Sequence, residues 1–131
     1  MNYFEMLEND VARIESDLLA IPDELADVER AIANDRRRLT ELQESLELAE
    51  TNASLMANAD GKSEDIRKIQ RKAAIWQDGE VQRWQAEIRK VQESLDNATV
   101  TADTLRRKYG ALCYVAELNA AKLKMMATAR A

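Results

Sequence analysis

At 131 residues the chain has room for one domain, and 3 Gly, 1 Pro and 1 Phe are too few turn residues and β-formers for a sheet protein. The absence of histidine removes the commonest general base and metal ligand, and a single cysteine, Cys113, excludes an internal disulfide. The net charge of −5 conceals a division: residues 1–61 carry 5 basic and 15 acidic side chains, whereas residues 62–131 carry 14 basic and 9 acidic ones. An acidic arm followed by a basic arm suits antiparallel pairing, within one chain or between chains; alternatively, part of the basic surplus faces an outside anion. Acidic residues interrupt every apolar run near the N-terminus, and no stretch reaches the roughly 20 apolar residues of a membrane span. With one thiol and no such segment, a cytoplasmic location is the expectation.

From Phe4 to Met56 apolar residues recur on alternating three- and four-residue steps, with Asp35 the one interruption. Such a seam means a helix that buries a narrow stripe against another helix. The pattern predicts a first helix over 2–20 and a second over about 22–57. Pro22 should impose a kink or short break, the kink being favoured because the seam keeps its phase. Asn58 to Ser63 read as the turn, with Ser63 as N-cap of a helix starting at 64. Ile66, Ile69, Ala73 and Trp76 are expected on the buried face of that helix. At Asp78-Gly79 the phase slips by one residue, which a bulge or short break would absorb. A second seam then runs from Val81 to Met126, interrupted by Asn119. The fold class is therefore all-α, a long antiparallel helical hairpin of the coiled-coil kind. It forms a single domain over 1–131, with arms 2–57 and 64–127 and a turn at 58–63.

Arg67, Lys68, Arg71 and Lys72 form the densest basic cluster, with Lys62 just before it. Helical spacing relative to Ile66 and Ile69 turns Arg67, Lys68 and Arg71 away from the partner arm and leaves Lys72 beside the seam. This is an outward strip suited to phosphates, or an ordinary solvated face. Arg36, Arg37 and Arg38 form a second basic run. A turn near residue 60 sets them opposite Arg83 and Trp84, and pairs Asp35 with Arg83. That pair would fix the coiled-coil register; the alternative is a band of arginines around an aromatic that stacks on bases. Trp76 and Trp84 both fall on seam positions and are expected in the core. Around Tyr109, Leu112, Cys113, Tyr114, Val115 and Leu118 the helix is apolar beyond its seam. The same turn places this stretch beside Tyr3, Phe4 and Leu7. The surplus apolar surface there indicates an oligomer interface, or else a local three-helix packing. Glu41, Glu44, Glu47 and Glu50 spread around their helix and do not converge on a metal. Cys113, with no histidine to activate it, reads as a packing residue. No catalytic, metal or phosphate-loop motif occurs, so a non-enzyme without cofactor or small-molecule substrate is expected.

The proline-led segment Ile21-Pro22-Asp23-Glu24-Leu25-Ala26, the long heptad arm, the Asn58-Ala59-Asp60-Gly61-Lys62 hinge and the stretch with Arg67, Arg71, Lys72 and Ala73 resemble small helical proteins of phages and prophages. In size and plan the chain is similar to the UvsY-type recombination mediators. Those are small helical oligomers that bind single-stranded DNA and help load a recombinase in place of single-strand-binding protein. The resemblance implies a homo-oligomeric accessory of phage-type recombination or replication, with recombination proteins as partners in a host cytoplasm and a DNA-contacting role for Arg67, Lys68, Arg71 and Lys72. A scaffolding coiled coil, or an inhibitor acting by protein–protein contact through the acidic arm, is the alternative.

Overall fold

The seam resolves into three helices and, among the described residues, no strand: α1 (Tyr3–Met56), α2 (Glu64–Gln77) and α3 (Gly79–Arg130). The computed structural model describes residues 2–130, the side chain of Arg130 excepted. The fold is all-α, a helical hairpin, as the periodicity predicts. No helix among the described residues is long and apolar enough to cross a membrane.

α1 opens on a capping box: the Glu5 N–H donates to Asn2 Oδ1 at 2.8 Å, and the Asn2 N–H donates to Glu5 Oε2 at 3.4 Å. The helix then continues through Pro22 without a break, so the two segments expected at 2–20 and 22–57 are one. An interior proline costs about 3 kcal/mol. Ile21 is buried and Leu25 half-buried on either side of it. Burying one such side chain contributes roughly 1.5–3 kcal/mol, so two seam residues offset the proline.

Two compact units organise the chain. The first joins the stretch up to Ala31 to that from Ala98 onward, with Leu7, Ile14, Ile21, Ala102 and Asn119 buried. In it Arg106 donates to Glu29 Oε1 at 3.0 Å across the helix pair. The second spans Ile32–Asn97 and buries Ile32, Leu42, Ala49, Ala53, Val81 and Ile88. Its cross-helix bond runs from Ser94 Oγ to Asp35 Oδ2 at 2.8 Å. Among the described residues no buried side-chain polar atom lacks a partner.

These bonds correct the register. Asp35 meets Ser94 and not Arg83, roughly three helical turns away along α3. Tyr109 lines an apolar recess with Ile21, Pro22, Leu25 and Arg106, so it does not lie beside Tyr3, Phe4 and Leu7. The cause lies in the turn. The chain returning from the turn meets α1 at Ile75, which shares a shallow depression with Thr51, Ser54 and Leu55 near the end of α1. The preceding turns of α2 extend past Met56 and are covered instead by the loop 57–63. Gly61 N–H donates to Gln70 Oε1 at 2.9 Å, Gln70 Nε2 donates to Asp60 Oδ1 at 3.0 Å, and Arg67 donates to the Gly61 carbonyl at 3.0 Å. The arms are therefore not equal partners: α2 is an overhang.

The break expected at Asp78 is present. Asp78 closes α2 with extended backbone and caps α3, its Oδ1 accepting from the Val81 N–H at 3.0 Å. The face of α2 is the reverse of the expected one. Ile66, Ile69, Ala73 and Trp76 are exposed, whereas Arg67, Gln70, Arg71, Ala74 and Ile75 are half-buried. With no α1 opposite, the side chains that bond the loop turn inward and the apolar stripe is left in solvent.

Candidate nucleic-acid interface

The overhang is built on one carboxylate. Ser63 caps α2, its hydroxyl accepting from the Ile66 N–H at 3.2 Å. Glu64 follows in the first turn, where the helix dipole favours a negative charge. Arg71 donates to Glu64 Oε1 at 2.6 Å and Arg67 to Oε2 at 3.0 Å. The hydrogen bond from Arg71, followed by that from Arg67, holds the Glu64 carboxyl below the usual carboxylate range. With its further bond to the Gly61 carbonyl, Arg67 ties the helix to the loop.

This arrangement divides the basic cluster. Arg67 and Arg71 do not project outward as the spacing had indicated; their side chains are only 36% and 33% exposed and serve as structural pins. Lys62, Lys68 and Lys72 are exposed, and among the described residues none of them has an ion-pair partner. The sequence contained a signal for this division. Counting back from Val81 in seam steps reaches Asp78, Ala74, Arg71 and Arg67, all half-buried positions.

The second basic run is not gathered around an aromatic. Arg36, Arg37 and Arg38 are exposed, and Arg38 pairs with Glu41 at 3.7 Å. Asp35 and its bond to Ser94 place this run beside the Ser94 stretch of α3 rather than opposite Trp84. Arg83 lies over the ring of Trp84, its Cζ 4.6 Å from the centroid, a cation–π contact. Trp84 itself packs half-buried against Ala49, Ala53 and Val81. Trp76, expected in the core, is 77% exposed.

All of these cations lie in the Ile32–Asn97 unit. The residues singled out as an oligomer interface lie in the other. There Tyr3, Tyr109, Tyr114, Val115 and Leu118 are exposed, Phe4 and Leu112 half-buried, and Leu7 buried in the seam of its own chain. Cys113 is a free, half-buried thiol. Among the described residues no group of carboxylates and thiols is placed to hold a metal ion. What the overhang can do chemically is attract anions: Lys62 in the loop and Lys68 and Lys72 on one face of α2 are exposed, beside an exposed Asp65 and a Glu64 already held by two arginines. Compared with protein families, with curated proteins and with solved structures, the chain finds no match.

Proposed function

We propose that this chain is a non-enzymatic, self-associating accessory of phage-type DNA recombination or replication. It contacts single-stranded DNA through the lysines of its overhang, in a host cytoplasm and in company with recombination proteins. The observation that carries the reading is the exposed trio of Lys62, in the loop, and Lys68 and Lys72, on the turns of α2 that precede its contact with α1 at Ile75. An ammonium without a carboxylate partner gains from a phosphate and releases condensed counterions as it does so. Arg36 and Arg37, exposed in the same unit, extend the positive surface. Arg67 and Arg71 drop out of the contact set because Glu64 holds them. One copy offers few contacts, so useful affinity comes from several copies presenting their trios to one strand.

Fluorescence anisotropy of labelled single-stranded DNA across a salt series, with light scattering on the same sample, tests this. Affinity should fall steeply with salt. The triple variant Lys62→Glu, Lys68→Glu, Lys72→Glu should lose it while circular dichroism keeps its helicity. A folded protein that binds no single strand even at low salt overturns the proposal. A second reading, a scaffold or inhibitor acting by protein contact, is favoured by the exposed Ile66, Ile69 and Trp76. It predicts stoichiometric association without salt-sensitive DNA affinity.

A further inference from the structure

Two apolar stripes stand in solvent on the Ile32–Asn97 unit. One is on the overhang, where Ile69 and Trp76 are 67% and 77% exposed. The other is on the outer side of α1, where Leu48 and Leu55 are 63% and 78% exposed. Each pair is seven residues apart, two turns or about 10.5 Å along its helix, so the two stripes share a pitch. Their edges differ in charge, the α1 edge acidic and the α2 edge mainly basic, with exposed Asp65 beside its lysines. Exposed Lys68 and Lys72 flank the α2 stripe; exposed Glu44 and Glu47 flank the α1 stripe. Within one chain both stripes stay exposed, so neither covers the other.

We propose that the α2 stripe of one copy docks on the outer α1 stripe of a second copy. The apolar residues exclude water at the centre, and the lysines meet the glutamates at the rim. Because the two surfaces differ, the contact is heterologous: every copy offers one socket and one plug, and repetition of the contact closes a ring or extends a filament. In the docked state Lys68 and Lys72 face glutamates, so docking and DNA contact compete for these two lysines and leave Lys62 to the phosphates.

A complementation experiment tests it. One variant carries Ile69→Glu and Trp76→Glu, the other Leu48→Glu and Leu55→Glu. By light scattering each alone should have a lower mass than the unaltered chain. An equimolar mixture should form a one-to-one pair, because one variant retains the socket and the other the plug. All four positions are exposed, so circular dichroism should show unchanged helicity. If a variant nevertheless melts early, charge exchange gives the same answer: Lys68→Glu with Lys72→Glu weakens self-association at least tenfold, and Glu44→Lys with Glu47→Lys on the partner restores it. An unaltered chain that stays monomeric, a variant that keeps full mass, or a mixture that fails to pair overturns the proposal. The stripe variants keep Lys62, Lys68 and Lys72, so anisotropy on the same samples separates a failure of docking from a failure of DNA binding.

Discussion

Gly61 occupies a close approach between the loop and α2. A methyl group there would overlap Ile66 Cγ2 and sit 3.0 Å from Gln70 Oε1. Gly61→Ala should therefore cost about 1–3 kcal/mol, the usual range for overpacking, as read from urea unfolding. Gly110, with open space around its Cα, should accept alanine without loss. Three residues on from Gly61, Glu64 makes the overhang sensitive to acid. Its carboxyl is held below the ordinary range in the folded state by the hydrogen bond from Arg71 and then that from Arg67. A group depressed on folding contributes stability above its unfolded value, about 4.3 for glutamate, and loses it as the pH falls through the folded value. Acidification from neutral pH should leave the overhang intact through pH 5 and loosen it below the ordinary carboxylate range. Amide exchange at the Gly61 and Arg67 N–H groups follows this directly. Glu64→Gln should remove the dependence.

At the scale of the elements, Pro22 and Asp35 mark places where α1 trades stability for something else. Pro22 denies the Leu18 carbonyl its usual donor inside a continuous helix. Pro22→Ala should stabilise α1 by up to about 3 kcal/mol, seen as a higher urea midpoint. Asp35 fills a seam position with a carboxylate that Ser94 answers across the helix pair. Asp35→Leu should raise the melting temperature but admit shifted pairings, visible as more than one species in disulfide trapping between engineered cysteines. The same fact explains what the sequence did and did not disclose. The seam from Phe4 to Met56 was legible because burial imposes a period on every helical turn. The register was not, because a repeat of seven residues matches itself after any shift of seven. Asp35 was recognised as the register residue, yet serine and arginine are both adequate partners for a carboxylate, and position had to choose. The orientation of α2 was hidden for another reason. It is set by bonds from Gln70 and Arg67 to loop atoms, and hydropathy ranks those residues as solvent-facing. Of the basic cluster only Lys68 stands outward as its spacing indicates: Lys72, expected beside the seam, is exposed, and Arg67 and Arg71 are held, since arginine and lysine look alike until their carboxylate is found.

For the molecule as a whole, the candidate cations are confined to one unit, whereas exposed apolar surface occurs in both. The candidate cations fall in Ile32–Asn97 and the surplus around Tyr114 and Leu118 falls in the other unit. Under the proposed function the two units are separable: Tyr114→Ser with Leu118→Ser should leave unchanged the salt slope per protomer in DNA titrations. The bonds closing the overhang, from Asp60, Gly61 and Glu64 to Gln70, Arg67 and Arg71, are all made within the tip itself. The tip is therefore indifferent to how much coiled coil lies behind it. One extra heptad in α1 between Leu39 and Leu46, matched by one in α3 between Ile88 and Leu95, would lengthen the helix pair of the Ile32–Asn97 unit by about 10.5 Å and leave the bonds of its tip unaltered. In such a design reach and recognition are inherited separately: one can drift by whole heptads while the other is held constant.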